Sequence, residues 1–67
     1  MSRPYRNSKD ELCITFGNYS VVQHKKDYNA IYNIGKFMSH ETNWKKATKI
    51  AKMLNEAYRE GYADGCY

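Results

Sequence analysis

The stretch Asn43–Glu60, NWKKATKIAKMLNEAYRE, decides how the chain folds. Its apolar residues fall at Trp44, Ala47, Ile50, Ala51, Leu54, Ala57 and Tyr58. Steps of three and four place them on one stripe of an α-helix. Lys45, Lys46, Lys49, Lys52, Glu56, Arg59 and Glu60 occupy the opposite face. An amphipathic helix of this length needs a partner for its stripe, and only the residues before it can supply one. Thr42 or Asn43 is the expected N-cap, since a short polar side chain there can accept an orphan backbone N–H. Gly61 or Gly65 is the expected end, glycine being the usual residue after a helix C-terminus.

Working back from the helix, Leu12, Ile14 and Phe16 alternate with Cys13 and Thr15, as a strand with two unlike faces requires. Gly17-Asn18 separates this run from Tyr19–His24. Glycine supplies the positive φ that opens a II′ turn, so residues 11–24 read as a hairpin. The two-residue turn sets the register. Phe16 lies opposite Tyr19, Ile14 opposite Val21 and Leu12 opposite Gln23, on the face expected to meet the helix. Cys13, Thr15, Ser20, Val22 and His24 take the other face, small and weakly polar, open to solvent or to a partner. Tyr28–Ile34 reads as a third strand, Gly35-Lys36 as a turn or a bulge, and Phe37-Met38 as a short fourth strand or a connector. The fold class is therefore α+β: a three- or four-stranded antiparallel sheet covered by one C-terminal helix over about residues 43–60. The core is expected from Leu12, Ile14, Phe16, Val21, Ile31, Ile34, Trp44, Ile50 and Leu54.

Residues 1–67 have room for a single small domain. Such a chain carries only a few kcal/mol of net stability, which a homodimer contact or a bound partner would raise. Residues 1–9 read as a loose basic arm carrying Arg3, Arg6 and Lys9, with Tyr5 as its one anchor. The first ten residues are polar, so no signal peptide is expected, and no apolar run is long enough to span a bilayer. A cytoplasmic protein follows, in the host cell if the gene belongs to a phage.

Eleven Lys and Arg against seven Asp and Glu give a net charge of +4, which favours acidic partners. Seven tyrosines are more than so small a core can hold, so several must reach the surface. Exposed tyrosine suits protein interfaces and also stacks on bases. Tyr28, Tyr32 and Tyr62 lie away from the expected core and are the candidate aromatic anchors. Lys45, Lys49 and Lys52 line one side of the helix and are the candidate phosphate contacts.

Catalytic chemistry finds little support. Cys13 and His24 share a sheet face, but diagonally, and no third group is identifiable to orient the imidazole. The four glycines are isolated, so no phosphate loop exists. Two cysteines and two histidines lack zinc-ligand spacing, so no metal and no cofactor is expected. Two cysteines are also too few for a disulfide scaffold, and whether Cys13 and Cys66 pair stays open. The expectation is a protein that is not an enzyme.

The layout, closed by Lys49-Ile50-Ala51-Lys52-Met53-Leu54-Asn55-Glu56-Ala57-Tyr58, resembles small accessory proteins of bacteriophages, in which a short antiparallel sheet precedes one C-terminal helix. The resemblance implies stoichiometric binding: such proteins block a host or defence machine, as anti-CRISPR proteins do. That class shares no motif, so the resemblance assigns no site residue. Three functions thus stand side by side. The first is a phage-type inhibitor of a host or defence protein complex. The second is a small basic nucleic-acid-binding module, using the helix lysines or the open sheet face. The third is a homo-oligomeric structural or assembly protein joined through a strand edge.

Overall fold

The hairpin around Gly17-Asn18 forms as the alternation predicts. The computed structural model describes residues 3–65, and side chains as far as residue 59. Its elements are β1 (Tyr5–Arg6), β2 (Leu12–Phe16), β3 (Tyr19–Lys25), β4 (Tyr28–Asn33), β5 (Lys36–Glu41) and α1 (Trp44–Gly65). The strands form one antiparallel sheet in chain order, β1-β2-β3-β4-β5. Between β2 and β3, Phe16 opposes Tyr19, Ile14 opposes Val21 and Leu12 opposes Gln23. Gly17 has φ +60° while Asn18 stays at negative φ, as a II′ turn requires. A Cβ on Gly17 would run into the side chain of Asn55. Glycine there thus serves both the turn and the approach of the helix.

The α1 stripe packs on the face carrying Ile14, Tyr19, Val21 and Ile31. Ala47 and Ala51 are fully buried at the contact, and Phe16, Trp44, Ile50 and Leu54 close around them. Two alanines at the centre let the helix lie close to the strands, and the larger side chains fill the flanks. Asn43 is the cap: its Oδ1 accepts the Lys46 N–H at 3.1 Å and its carbonyl accepts the Ala47 N–H at 3.0 Å. The helix runs to Gly65, the later of the two expected stops.

The buried Asn29 sits on this same face, between Gln23 and Glu41. Its Oδ1 accepts from Gln23 Nε2 at 3.0 Å, and its Nδ2 donates to the Glu41 carbonyl at 3.1 Å. Both ends of the amide are satisfied, which is the condition for burying it at little cost.

Three details differ from the sequence reading. The sheet has five strands rather than three or four. Two residues of the expected loose arm, Tyr5 and Arg6, pair with Cys13 and Leu12 as β1. The loop behind them is drawn together by Asn7, whose Oδ1 accepts the Lys9 and Glu11 N–H groups at 2.9 Å each and whose Nδ2 donates to Glu11 Oε1 at 3.0 Å. Second, β5 is a six-residue strand rather than a short piece at Phe37-Met38. Ile31 pairs with Ser39 but Tyr32 with Phe37, so Met38 is an extra residue. That bulge breaks the period of two that would have revealed the strand.

Third, Ile34 is not in the core but at the tip of the β4–β5 hairpin, 74% exposed. Ile34 and Gly35 both have positive φ, 51° and 78°, the pattern of a I′ turn. A β-branched residue is strained there. Because Ile34 buries little, Ile34→Asn should remove strain without losing packing. We expect a gain of about 1 kcal/mol, or roughly 4–8 °C in Tm, read by a circular-dichroism melt. An unchanged or lower Tm would contradict a strained turn.

Candidate functional site

The sheet face turned away from α1 is not simply open. Its floor is built of small side chains: Cys13 and Thr15 on β2, Ser20 and Val22 on β3, Ala30 on β4. Cys13 and Ala30 are nevertheless buried, at 2% and 0% exposure. Register explains Ala30, which lies between Val22 and His40 across the strands and between Tyr28 and Tyr32 along its own. Large rings stand around small residues, and the face becomes an aromatic layer.

Five rings make up that layer. Tyr28 stacks on His40 with centroids 4.5 Å apart and planes 10° from parallel. Tyr32 meets Phe37 edge to face at 6.0 Å, and His24 meets Tyr32 in the same manner at 6.1 Å. His24 also lies 6.2 Å from Tyr28. Tyr5, on β1, reaches the face from the other side, where its hydroxyl and that of Thr15 are 3.1 Å apart. Phe37 and Tyr5 remain about half exposed, at 54% and 48%. A surface of tilted rings with polar tips and low rotamer freedom is what protein interfaces concentrate.

A hydrogen-bonded chain fixes one edge of the layer. His24 Nδ1 lies 2.7 Å from Glu11 Oε2, and His24 Nε2 lies 2.7 Å from the Tyr32 hydroxyl. Glu11 is the orienting group for His24 that the sequence did not reveal, because it is thirteen residues away and precedes the strand. The amide of Asn7 and the imidazole of His24 both bond the Glu11 carboxylate and hold its pKa below the usual glutamate range. Burial raises the Tyr32 phenol, so it stays protonated at neutral pH. The phenol keeps its proton, so the Tyr32 hydroxyl can donate to Nε2 while Nδ1–H donates to the Glu11 carboxylate.

The lowered Glu11 pKa means that folding favours the carboxylate. Its contribution to stability is present above the unfolded value of about 4.3 and is lost as pH falls through the lower folded value. Glu11→Gln should thus give a shallower loss of stability between about pH 5 and pH 3 than the wild type shows, read as urea midpoints across that range. Parallel acid limbs in the two proteins would contradict the assignment.

The Cys13–His24 pair considered in the sequence does not form. Cys13 Sγ donates to the Glu11 carbonyl at 3.4 Å, while both imidazole nitrogens are engaged elsewhere. Burial raises the thiol pKa, the opposite of what an attacking thiolate needs. Among the described residues no three His, Cys, Asp or Glu side chains gather where a metal ion could sit, and no helix is long and apolar enough to cross a membrane.

The structure separates the two candidate sets. Tyr28 and Tyr32 stand together on the aromatic layer, half-buried. Lys45, Lys49 and Lys52 are all exposed along α1, on the stripe opposite the alanines that meet the sheet. The sheet and the helix lie between the two groups, so no small ligand touches both. The side chain of Tyr62, and Cys66 with its pairing to Cys13, lie outside the described residues. Sequence reasoning missed Phe37 and His40 as members of the layer. Three apart, they read as opposite faces, and only the bulge at Met38 brings them to one side. Comparison of the chain with protein-family models, with curated proteins and with solved structures finds no match.

Proposed function

We propose that the protein is a non-enzymatic binding module whose aromatic sheet face docks on a host or defence protein complex, as a stoichiometric inhibitor of the anti-CRISPR kind would. The observation that carries this reading is the layer formed by His24, Tyr28, Tyr32, Phe37 and His40 on a sheet face that no described element covers. The rings brace one another, so little conformational entropy is lost when a partner covers them. Among the described residues, basic side chains border the face only at the β3–β4 turn, where exposed Lys25 lies opposite Tyr28 and Lys26 follows it. The carboxylate on the face, Glu11, is bonded to His24, and the helix lysines lie on the far side of the molecule. A protein target is therefore favoured over a single strand.

One observation supports a second reading. Lys45, Lys49 and Lys52 form an exposed basic stripe, and a nucleic-acid backbone could follow it without touching the tyrosines. Capture from a bacterial lysate, read by mass spectrometry, separates the two. Three baits are compared: the wild type, Tyr28→Ala with Phe37→Ala, and Lys45→Glu with Lys49→Glu and Lys52→Glu. A protein target on the aromatic face is retained by the lysine variant and lost by the ring variant. Loss with the lysine variant alone, together with steep weakening by salt, assigns the helix and nucleic acid instead.

A further inference from the structure

One edge of the sheet is left in an unusual state. Six large apolar side chains are exposed among the described residues, and three of them, Ile34, Phe37 and Met38, belong to the β4–β5 hairpin. Among the described residues β5 is the last strand of the sheet and pairs only with β4. Its first five residues are exposed and the sixth, Glu41, partly so. Exposed edges are normally blunted by charge, yet Phe37-Met38-Ser39-His40 contains no Lys, Arg, Asp or Glu. The opposite end of the sheet is closed by a strand of only two residues, too short to serve as a template.

The sequence of β5 is complementary to itself when reversed. Laid antiparallel on a second copy, Lys36 comes opposite Glu41 of the other chain, Phe37 opposite His40 and Met38 opposite Ser39. The faces agree as well. Lys36 and Glu41 pair within the sheet with Asn33 and Asn29, both on the helix side, whereas Phe37 and His40 both belong to the aromatic layer. Opposite charges and aromatic pairs directly across two strands each favour the register. Glu41 is already 3.6 Å from Lys46, whose own side chain is 68% exposed, so its carboxylate can be shared. The bulge at Met38 would interrupt most pairings, but here it falls beside the two-fold axis, where each Met38 comes opposite Ser39 of the other copy.

We infer that β5 pairs antiparallel with β5 of a second copy, joining two sheets into one of ten strands. A two-fold axis perpendicular to the sheet keeps both helices on one side and both aromatic layers on the other. The dimer would therefore offer a single aromatic surface of twice the width, with the Phe37–His40 pairs at its centre. This inference does not depend on what that surface binds.

Sedimentation equilibrium of the intact protein from about 1 μM to about 1 mM tests the pairing, since an edge contact of this size should associate in that range. Lys36→Glu places like charges opposite at two symmetric positions and should weaken the dimer roughly tenfold. Lys36→Glu with Glu41→Lys restores the complementarity and should recover most of that loss. Met38→Lys puts a charge near the axis and should abolish association, while its circular-dichroism melt shows that the monomer still folds. Hydrogen exchange adds a local readout: β5 amides gain protection as concentration rises. A wild type that stays monomeric throughout overturns the inference. So does a dimer indifferent to Lys36→Glu and Met38→Lys, or a double reversal no better than the single one.

Discussion

Ile31→Ala should leave the protein largely unfolded at 25 °C. Ile31 is fully buried at the centre of the contact between β4 and α1, together with Val21, Ala47 and Ala51. Truncating a buried isoleucine costs about 2–5 kcal/mol, from lost transfer energy and from the cavity left behind. A domain of this length has few kcal/mol to lose. Ile34→Ala makes the same chemical change three residues later, at a tip that is 74% exposed. It should move the urea midpoint very little. The contrast keeps the residue type fixed, so the difference reports burial together with the strain relieved at the Ile34 turn. Equal midpoints for the two variants would mean that the helix does not pack on this face.

Gly17→Val carries the second large effect, about 2–3 kcal/mol of lost stability. Two causes act together. A β-branched residue is forced into the left-handed region at φ +60°, and its Cβ meets the Asn55 side chain. A cycle separates them. Asn55→Ala removes the obstacle, so Gly17→Ala should cost less in the Asn55→Ala background than in the wild type. The part that persists is the backbone strain. A thermal melt of Gly17→Val that matches the wild type would remove the close approach of turn and helix from the account.

These two positions also show how far the sequence could be read. Gly17 and the α1 stripe were legible because their signals are local. A glycine between alternating runs, or a three-four spacing over five turns, needs no knowledge of the rest of the chain. The register of β2 against β3 followed from the turn alone. Ile34 was misread because hydrophobicity was taken for burial, while the I′ turn that exposes it depends on where β5 pairs. β5 itself was hidden by the bulge at Met38, and β1 by its length of two residues. The candidate site was half legible. Tyr28 and Tyr32 were legible as tyrosines away from the expected core, both on the third strand. Glu11, Phe37 and His40 come from other strands or from a loop, and only the folded sheet brings them together. The helix lysines were correctly placed on the exposed side, but nothing local said that the tyrosines would lie on the opposite side of the molecule.

The central claim is that the aromatic sheet face is the binding surface. The most direct test is a titration of the labelled protein with its captured partner, followed by NMR of the aromatic and lysine side chains. The account predicts shifts concentrated on the rings of His24, Tyr28, Phe37 and His40, with the Lys45, Lys49 and Lys52 ammonium-bearing side chains unmoved. It also predicts that at least one ring truncation weakens binding by more than about 2 kcal/mol without lowering Tm. Shifts confined to the lysines of α1, with the rings unperturbed, would contradict it.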